Sequence, residues 1–154
     1  MGAQRDGAFM EYITMPVERI YDGKGLYPLE IALIEPFCIS YHGVSHADIK
    51  PGEKVLVIGA GTIGVLAAAA AKAAGAEVYI ADIAPQKLNH AVEIMDLAGR
   101  ILNDSPEHFN EQVQEITGGN GFDVTIEAVG LPATFLTCVD AAAFGGSVVQ
   151  VGVG

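Results

Sequence analysis

Basic residues are scarce in this sequence. Of its 154 residues, 8 are Lys or Arg and 19 are Asp or Glu, which gives a formal net charge of −11. A field of this sign repels nucleic acid and anionic membrane surfaces, and no local cluster of Lys and Arg offsets it. The sequence therefore predicts neither a nucleic-acid partner nor a membrane partner.

Cysteine is also rare, and its two positions suit neither a metal pair nor a disulfide. Cys38 and Cys138 stand far apart in the chain, so we predict neither a C-x-x-C site nor a disulfide framework, and a reducing cytoplasm is expected. The N-terminal segment MGAQRDGAF lacks the apolar core of a signal peptide. Residues 55–71 are uncharged, but glycines interrupt them and they fall short of the roughly 20 apolar residues that a membrane span needs. We therefore expect a soluble, cytoplasmic protein.

Glycine, in contrast, is abundant, and one group of glycines follows a strongly apolar segment. The β-branched run at residues 55–58 predicts a buried parallel strand. Gly59, Gly61 and Gly64 follow it in the pattern G-x-G-x-x-G, and an alanine-rich segment then favours helix. The first glycine suits a tight turn, the second lets the backbone approach a pyrophosphate, and the third lets the helix pack closely on the strand. Because a helix start offers free N–H groups to an anion, we predict a dinucleotide site here.

Asp82 is predicted to select the coenzyme. It closes a second strand at residues 78–80, about 20 residues beyond the glycine pattern, where a carboxylate can accept both hydroxyls of an adenosine ribose. The same carboxylate would repel a 2′-phosphate, so the sequence favours NAD over NADP. The structural alternative is that Asp82 simply caps the helix that follows.

The chain beyond Asp82 alternates between helix and strand. Helices are predicted to begin at Pro85, at Ser105-Pro106 and at Pro132, because proline is tolerated in the first turn. The side chains expected to face the core are Leu88, Val92 and Met95, then Phe109, Val113 and Ile116, and then Phe135 and Val139. The strands are expected at residues 100–103, 122–130 and 147–151. This alternation predicts an α/β fold, a Rossmann-type doubly wound parallel sheet of order 3-2-1-4-5.

The N-terminal region is less regular. Residues 8–20 are rich in β-prone side chains but contain Pro16, which predicts an edge strand or a bend. Apolar residues recur at a helical interval over residues 28–44, where Pro36 interrupts them. We expect a short helix, a kink at Glu35-Pro36 and a second helical piece.

Other candidate residues carry weaker signals. His42 and His46 can share one helix face, yet no third ligand lies near them in the sequence, and solvated or capping roles are favoured for all the histidines. A buried core role is favoured for Cys38. Glu127 is expected to face a helix edge or solvent, and no chemical role is assigned to it.

Several segments together resemble the medium-chain zinc-dependent alcohol and polyol dehydrogenases, in particular the sorbitol and threonine dehydrogenase branch. The segments are residues 7–12, 34–36, 57–64, 73–76, 117–123 and 126–130, which are similar to that family's G-G-F-A-E-Y strand, Glu-Pro pair, coenzyme loop, helix end and fourth-strand block. The resemblance covers nearly the whole chain. It implies an oxidoreductase that transfers a hydride between a secondary alcohol, such as a polyol, and NAD.

The resemblance also implies a set of coenzyme contacts. The residues expected to bind NAD are Gly59, Gly61, Thr62, Ile63, Gly64, Asp82, Ala128, Val129, Gly130, Val151 and Gly152. No catalytic residue is assigned within this chain. Glu35 falls where the resemblance implies a residue at or next to the catalytic zinc, but a catalytic zinc needs three protein ligands. Zinc is therefore expected in the full-length enzyme only, and a plain helix-end role for Glu35 stays open.

Some family features are missing from the sequence. It contains neither the family's G-H-E zinc segment nor its cluster of four cysteines, and it stops after the fifth predicted strand. The resemblance thus implies a fragment, with residues 1–27 a remnant of the catalytic domain and residues 28–154 a truncated NAD-binding domain that is inactive alone. An unpaired fifth strand and an orphan segment at residues 8–20 predict a homo-oligomer.

Two alternatives to a dehydrogenase domain remain at this stage. One is a regulatory module that binds a nucleotide without catalysis. The other is a methyltransferase, although the spacing of the glycines and the missing acid at the end of the first strand argue against it.

Overall fold

The computed structural model describes residues 6–153, and its centre is a five-stranded parallel sheet. The strands are β1 (Lys54–Ile58), β2 (Glu77–Asp82), β3 (Gly99–Leu102), β4 (Phe122–Glu127) and β5 (Ala142–Gln150). Their order in the sheet is β3-β2-β1-β4-β5, so the predicted Rossmann-type topology is confirmed. The chain reverses its direction of winding between β1 and β4, which is where sheets of this kind open a crevice.

Five α-helices connect and flank the strands. They are α1 (Pro28–His46), α2 (Thr62–Ala73), α3 (Pro85–Met95), α4 (Pro106–Thr117) and α5 (Pro132–Ala141). The predicted helix starts at Pro85, Pro106 and Pro132 are confirmed, since each proline occupies the first turn, where its missing N–H costs nothing. At the start of α4 the Ser105 hydroxyl oxygen accepts a hydrogen bond from the His108 N–H at 3.2 Å.

Both faces of the sheet are covered, and β1 lies at its centre. Val55 and Val57 pack into one core with the alanines of α2 and with Leu88 of α3. Leu56 and Ile58 point the other way, into a second core that contains large side chains of α4 and β4. Burying each of these aliphatic side chains stabilises the fold by about 1.5–3 kcal/mol. This two-sided burial explains why β1 is continuously apolar and does not alternate.

The buried face of α5 differs from the predicted one. Val139 is exposed, whereas Cys138 and Ala141 are buried. The Thr125 hydroxyl on β4 donates to the Cys138 carbonyl oxygen at 3.0 Å. The helix is therefore turned so that its small residues face the sheet, which apolarity alone did not indicate.

The predicted interruption of α1 is wrong, because the helix continues through Pro36. A proline inside a helix removes one backbone hydrogen bond. A contact with another element holds the second half of α1 in place. The buried Ser40 hydroxyl donates to the Ile63 carbonyl oxygen of α2 at 2.8 Å, and Val44 is buried one turn later.

Two compact units divide the chain between Ala32 and Leu33. In the first of them, the edge strand predicted as one alternative for residues 8–20 is not formed, whereas the other alternative, a bend, is: the chain bends near Met10 and makes a 3₁₀ turn at Val17–Arg19. The backbone bonds there are local ones, such as Arg19 N–H to the Pro16 oxygen at 3.0 Å, and a strand needs a ladder with a second strand. Side chains such as Phe9 are fully exposed. No helix within residues 6–153 is long and apolar enough to cross a membrane.

Candidate functional site: a crevice at the carboxyl ends of the strands

A cavity of about 330 Å³ opens where β1, β2, β3 and β4 end. Its lining residues are Ile58, Gly59, Asp82, Ile83, Ala84, Lys87, Asn103, Val129, Leu131 and Thr134. Ligands of open parallel sheets bind outside the carboxyl ends of the strands, at the point where the strand order reverses. The position of this cavity is therefore the one that the topology favours for a ligand.

The glycine turn after β1 allows three chain segments to approach closely. Gly59 has a φ of 109°, a conformation that residues with a side chain rarely adopt. A Cβ at Gly59 would lie 2.8 Å from the Val129 side chain and 3.0 Å from the Ala128 carbonyl oxygen. A Cβ at Gly64 would lie 1.7 Å from the Gly59 carbonyl oxygen. Glycine is thus required at both positions for α2 to begin this close to β1 and to the segment after β4.

Gly61 faces open space at the start of α2. It is the N-cap residue of the helix, and a Cβ built there would meet no atom within 4 Å. No side chain caps this end of α2, so the N–H groups of the first turn, where Thr62 and Ile63 lie, are open to a ligand. Together with the helix dipole they form a site that suits a phosphate group.

Asp82 connects this turn to the next wall of the cavity. It is the last residue of β2, and its Oδ2 accepts a hydrogen bond from the Ala60 N–H at 2.8 Å. Its Oδ1 accepts from the N–H of Ala84, the N-cap residue of α3, at 2.9 Å. The capping alternative therefore describes a contact that is present. It does not exclude a ribose, because each carboxylate oxygen can accept a further hydrogen bond.

Sequence reasoning missed three polar residues of the cavity, Lys87, Asn103 and Thr134. Lys87 lies in the first turn of α3, and Asn103 directly follows β3, with its N–H bonded to the Asp82 carbonyl oxygen at 3.0 Å. The strand order itself is the signal that identifies them, since neighbouring parallel strands end at the same edge. Lys87 adds a positive charge to a cavity whose other ionic group is a carboxylate.

Glu127 is the largest departure from the sequence prediction, which placed it at a helix edge or in solvent. That prediction is wrong, because Glu127 is fully buried at the end of β4. Its Oε1 accepts hydrogen bonds from the N–H groups of Val129 and Gly130, both at 2.9 Å, and from the Thr134 hydroxyl at 2.6 Å. Its Oε2 accepts a longer bond from the Gly130 N–H at 3.1 Å. The prediction failed because it assumed alternation, whereas both faces of β4 are covered.

Glu127 also brings the chain after β5 to the same place. Its carbonyl oxygen accepts from the N–H groups of Val151 and Gly152 at 2.8 and 3.0 Å. A Cβ at Gly152 would lie 2.3 Å from the Gly130 nitrogen and 2.5 Å from the Glu127 Oε2. The structure thus gathers the residues expected around the coenzyme into adjacent loops. Of these loops, residues 128–130 touch the glycine turn and residues 151–152 touch residues 128–130.

The two cysteines differ in burial, and Cys38 is not where the sequence analysis placed it. Cys38 is exposed, so the prediction of a buried core cysteine is wrong, and it is Cys138 that is buried. Burial, and secondarily the charge of Glu127, raises the pKa of the Cys138 thiol to about 12. Cys138 is therefore a packing residue and not a nucleophile.

The described residues do not fit a catalytic zinc ion. Glu35 lies exposed on α1, and residues 6–153 contain no group of three or more His, Cys, Asp or Glu placed to hold a metal. A catalytic zinc is held by three protein ligands. The glycine turn and the open start of α2, in contrast, do fit a dinucleotide.

Comparison with known proteins identifies the family of the chain. Residues 62–154 match the model of the zinc-binding dehydrogenase family. The chain is 43% identical over 152 residues to L-galactonate-5-dehydrogenase of Escherichia coli, which covers 99% of the chain and 44% of that protein. It is 34% identical over 149 residues to sorbitol dehydrogenase of Bacillus subtilis, which covers 96% of the chain and 42% of that protein. The chain thus spans less than half the length of these two relatives.

A solved structure gives the same answer for the fold. Zinc-dependent alcohol dehydrogenase 2 from Streptococcus pneumonia, in its apo form, superimposes with a TM-score of 0.75 at 31% identity, covering 79% of this chain and 36% of that one. The family match covers more than half of the chain, and the relatives that it resembles are dehydrogenases. The chain belongs to the zinc-binding dehydrogenase family.

Proposed function

We propose that this chain is the NAD-binding domain of a zinc-type alcohol or polyol dehydrogenase. The observation that carries the proposal is that three features lie next to one another at the carboxyl ends of β1 and β2. The first is the glycine turn, in which Gly61 has open space beside it. The second is the uncapped start of α2, and the third is the Asp82 carboxylate at the end of β2. The dehydrogenase names of the relatives support the reaction class.

Each part of the crevice has a role toward the coenzyme. The first-turn N–H groups of α2 bind the pyrophosphate, and Gly61 leaves room for it because it has no side chain. Asp82 accepts hydrogen bonds from the adenosine ribose, and Lys87 lies beside it in the same cavity. Val129 and its neighbours in the loop after β4, held by Glu127, and residues 151–152 flank the remainder of the dinucleotide. When bound, NAD supplies the hydride acceptor.

The alcohol chemistry requires residues outside this set. We propose that residues 1–27 belong to the catalytic domain, that residues 28–154 form the coenzyme domain, and that the chain alone binds NAD without turnover. The substrate of the whole protein is then a small secondary alcohol or polyol, and the location is the cytoplasm. We also propose a homo-oligomer, because β5 is an edge strand that can pair with another chain.

The test is calorimetric titration of the purified chain with NAD, NADP and S-adenosylmethionine. NAD is expected to bind, and NADP to bind at least tenfold more weakly, a gap of about 1.4 kcal/mol. Asp82→Ala should narrow that gap. A suitable control is Asp123→Ala. Asp123 also accepts a backbone hydrogen bond, from Lys54 N–H at 2.8 Å, but it lies near the amino end of β4, whereas the cavity lies at the carboxyl ends of the strands.

Three outcomes would contradict the proposal in different ways. Equal affinities for NAD and NADP would show that Asp82 does not bind the ribose. Binding of S-adenosylmethionine in place of NAD would identify a methyltransferase. Binding of none of the three would remove the coenzyme site altogether.

A further inference from the structure

Two histidines on α1 lie side by side and take no part in the crevice. His42 and His46 are one helical turn apart, and both are exposed. Their Nε2 atoms are 3.3 Å apart, and their rings meet edge to face with centroids separated by 4.6 Å. The Nε2 atoms of the two exposed rings are thus adjacent to one another on the helix surface.

The separation of these nitrogens matches the geometry of a chelated metal ion. Two imidazole nitrogens that each lie about 2.0–2.1 Å from one metal ion are about 3.3 Å apart at a tetrahedral ion and about 2.9 Å apart at adjacent positions of a square-planar or octahedral ion. A direct hydrogen bond between the rings is the competing account, but 3.3 Å is at the long end of hydrogen-bond distances. Both side chains are exposed, so their rings are free to rotate and point both nitrogens at one ion.

We propose that His42 and His46 form a chelating site for a divalent transition-metal ion that prefers imidazole, such as Cu²⁺, Ni²⁺ or Zn²⁺. Two protein ligands leave the remaining coordination positions to water, so the ion exchanges with solvent. The site is separate from Glu35, which lies seven residues earlier and therefore about 10 Å away along the helix axis. It is also independent of the coenzyme crevice, and its failure would leave the proposed function unaffected.

The test is metal titration of the tag-free chain at pH 7.5, since protons compete with metal ions for imidazole nitrogen at lower pH. In separate calorimetric titrations, Cu²⁺ and Ni²⁺ should each bind with a stoichiometry of one ion per chain, and Cu²⁺ should bind more tightly than Ni²⁺. Mg²⁺ should not bind. His42→Gln and His46→Gln should each lower the affinity at least tenfold. His90→Gln is the matched control, since His90 is exposed and is the one histidine of α3, and this substitution should leave the metal affinity unchanged.

A spectroscopic measurement identifies the ligands directly. The electron paramagnetic resonance spectrum of the Cu²⁺-loaded chain should show coupling to two nitrogen atoms, and this pattern should be lost in either His→Gln variant. All three histidines are exposed, so circular dichroism should show an unchanged fold. Unaltered Cu²⁺ affinity in a variant that combines His42→Gln with His46→Gln, or stoichiometric binding that His90→Gln abolishes, would overturn the proposal.

Discussion

Replacing Glu127 by alanine should destabilise the chain more than the loss of any exposed carboxylate. The substitution removes the acceptor for the N–H groups of Val129 and Gly130 and for the Thr134 hydroxyl. Because Gly130 is buried, its N–H would be left without a partner, at a cost of about 1–3 kcal/mol. The charge-assisted bond from Val129 contributes about 1.5–3 kcal/mol more.

One effect opposes this loss. Removing a buried carboxylate also removes the cost of keeping its charge away from water, and residues 6–153 place no Lys, Arg or His in an ion pair with Glu127. The net destabilisation expected for Glu127→Ala is therefore about 2–4 kcal/mol, at the upper end of what single substitutions cause. Thr134→Val should be non-additive with Glu127→Ala, with a coupling energy of about 0.5–3 kcal/mol, because the two side chains share one bond.

The assay is urea denaturation of the purified chain, with Asp123→Ala as the control. Asp123 is exposed and accepts one backbone hydrogen bond, which water can replace, so its loss should cost less than about 1 kcal/mol. NAD affinity measured well below the melting temperature should fall in Glu127→Ala and not in the control, since Val129 lines the cavity. A Glu127→Ala variant as stable as the Asp123→Ala variant would refute the reasoning from buried hydrogen bonds.

Two further predictions test the glycine turn and the ion pair between Lys54 and Glu77 at the amino ends of β1 and β2. Gly64→Ala should destabilise the chain by about 3 kcal/mol or more, because the added Cβ would clash with the backbone. Gly61→Ala should leave the melting temperature unchanged and weaken only NAD binding, because a Cβ at Gly61 meets no atom. Equal melting temperatures for the two variants would contradict this prediction. The hydrogen bond from Lys54, and then that from Tyr79, lowers the pKa of Glu77 below its ordinary value of 4.5. Its stabilising contribution is therefore present above pH 4.5 and lost as the pH falls through the lowered pKa. Stability measured between pH 6 and pH 3 should fall less steeply in Glu77→Gln than in the parent chain, and parallel curves would show that the pair contributes nothing.

Local signals in the sequence were sufficient for the centre of the fold. The apolar run of β1, the glycine spacing and the alanines of α2 are neighbours in sequence and in space, so each confirms the next. Prolines in the first turn likewise gave the starts of α3, α4 and α5. These features depend on backbone conformation and short-range packing, which a sequence pattern expresses directly.

The features that could not be predicted depend on partners distant in the chain. Pro36 indicates a break in α1, but the bond from Ser40 to the Ile63 carbonyl oxygen connects residues that are 23 positions apart. Glu127 has the sequence context of an exposed strand end, and only the fold of the following loop surrounds its carboxylate with donors. Lys87 joins the cavity because β1, β2 and β3 are neighbours in the sheet.

Asp82 and Glu127 have the same structural role at the ends of β2 and β4, the two strands that flank β1. Asp82 accepts backbone N–H groups from the glycine turn and from the start of α3, and Glu127 accepts them from the loop after β4. The crevice walls are therefore held by carboxylates in a chain of net charge −11. Attraction for a pyrophosphate must then come from the N–H groups and dipole of α2, with Lys87 as the one basic side chain that lines the described cavity. Because backbone dipoles act at short range, the affinity for NAD should depend on the geometry of the glycine turn far more than on the overall charge of the protein.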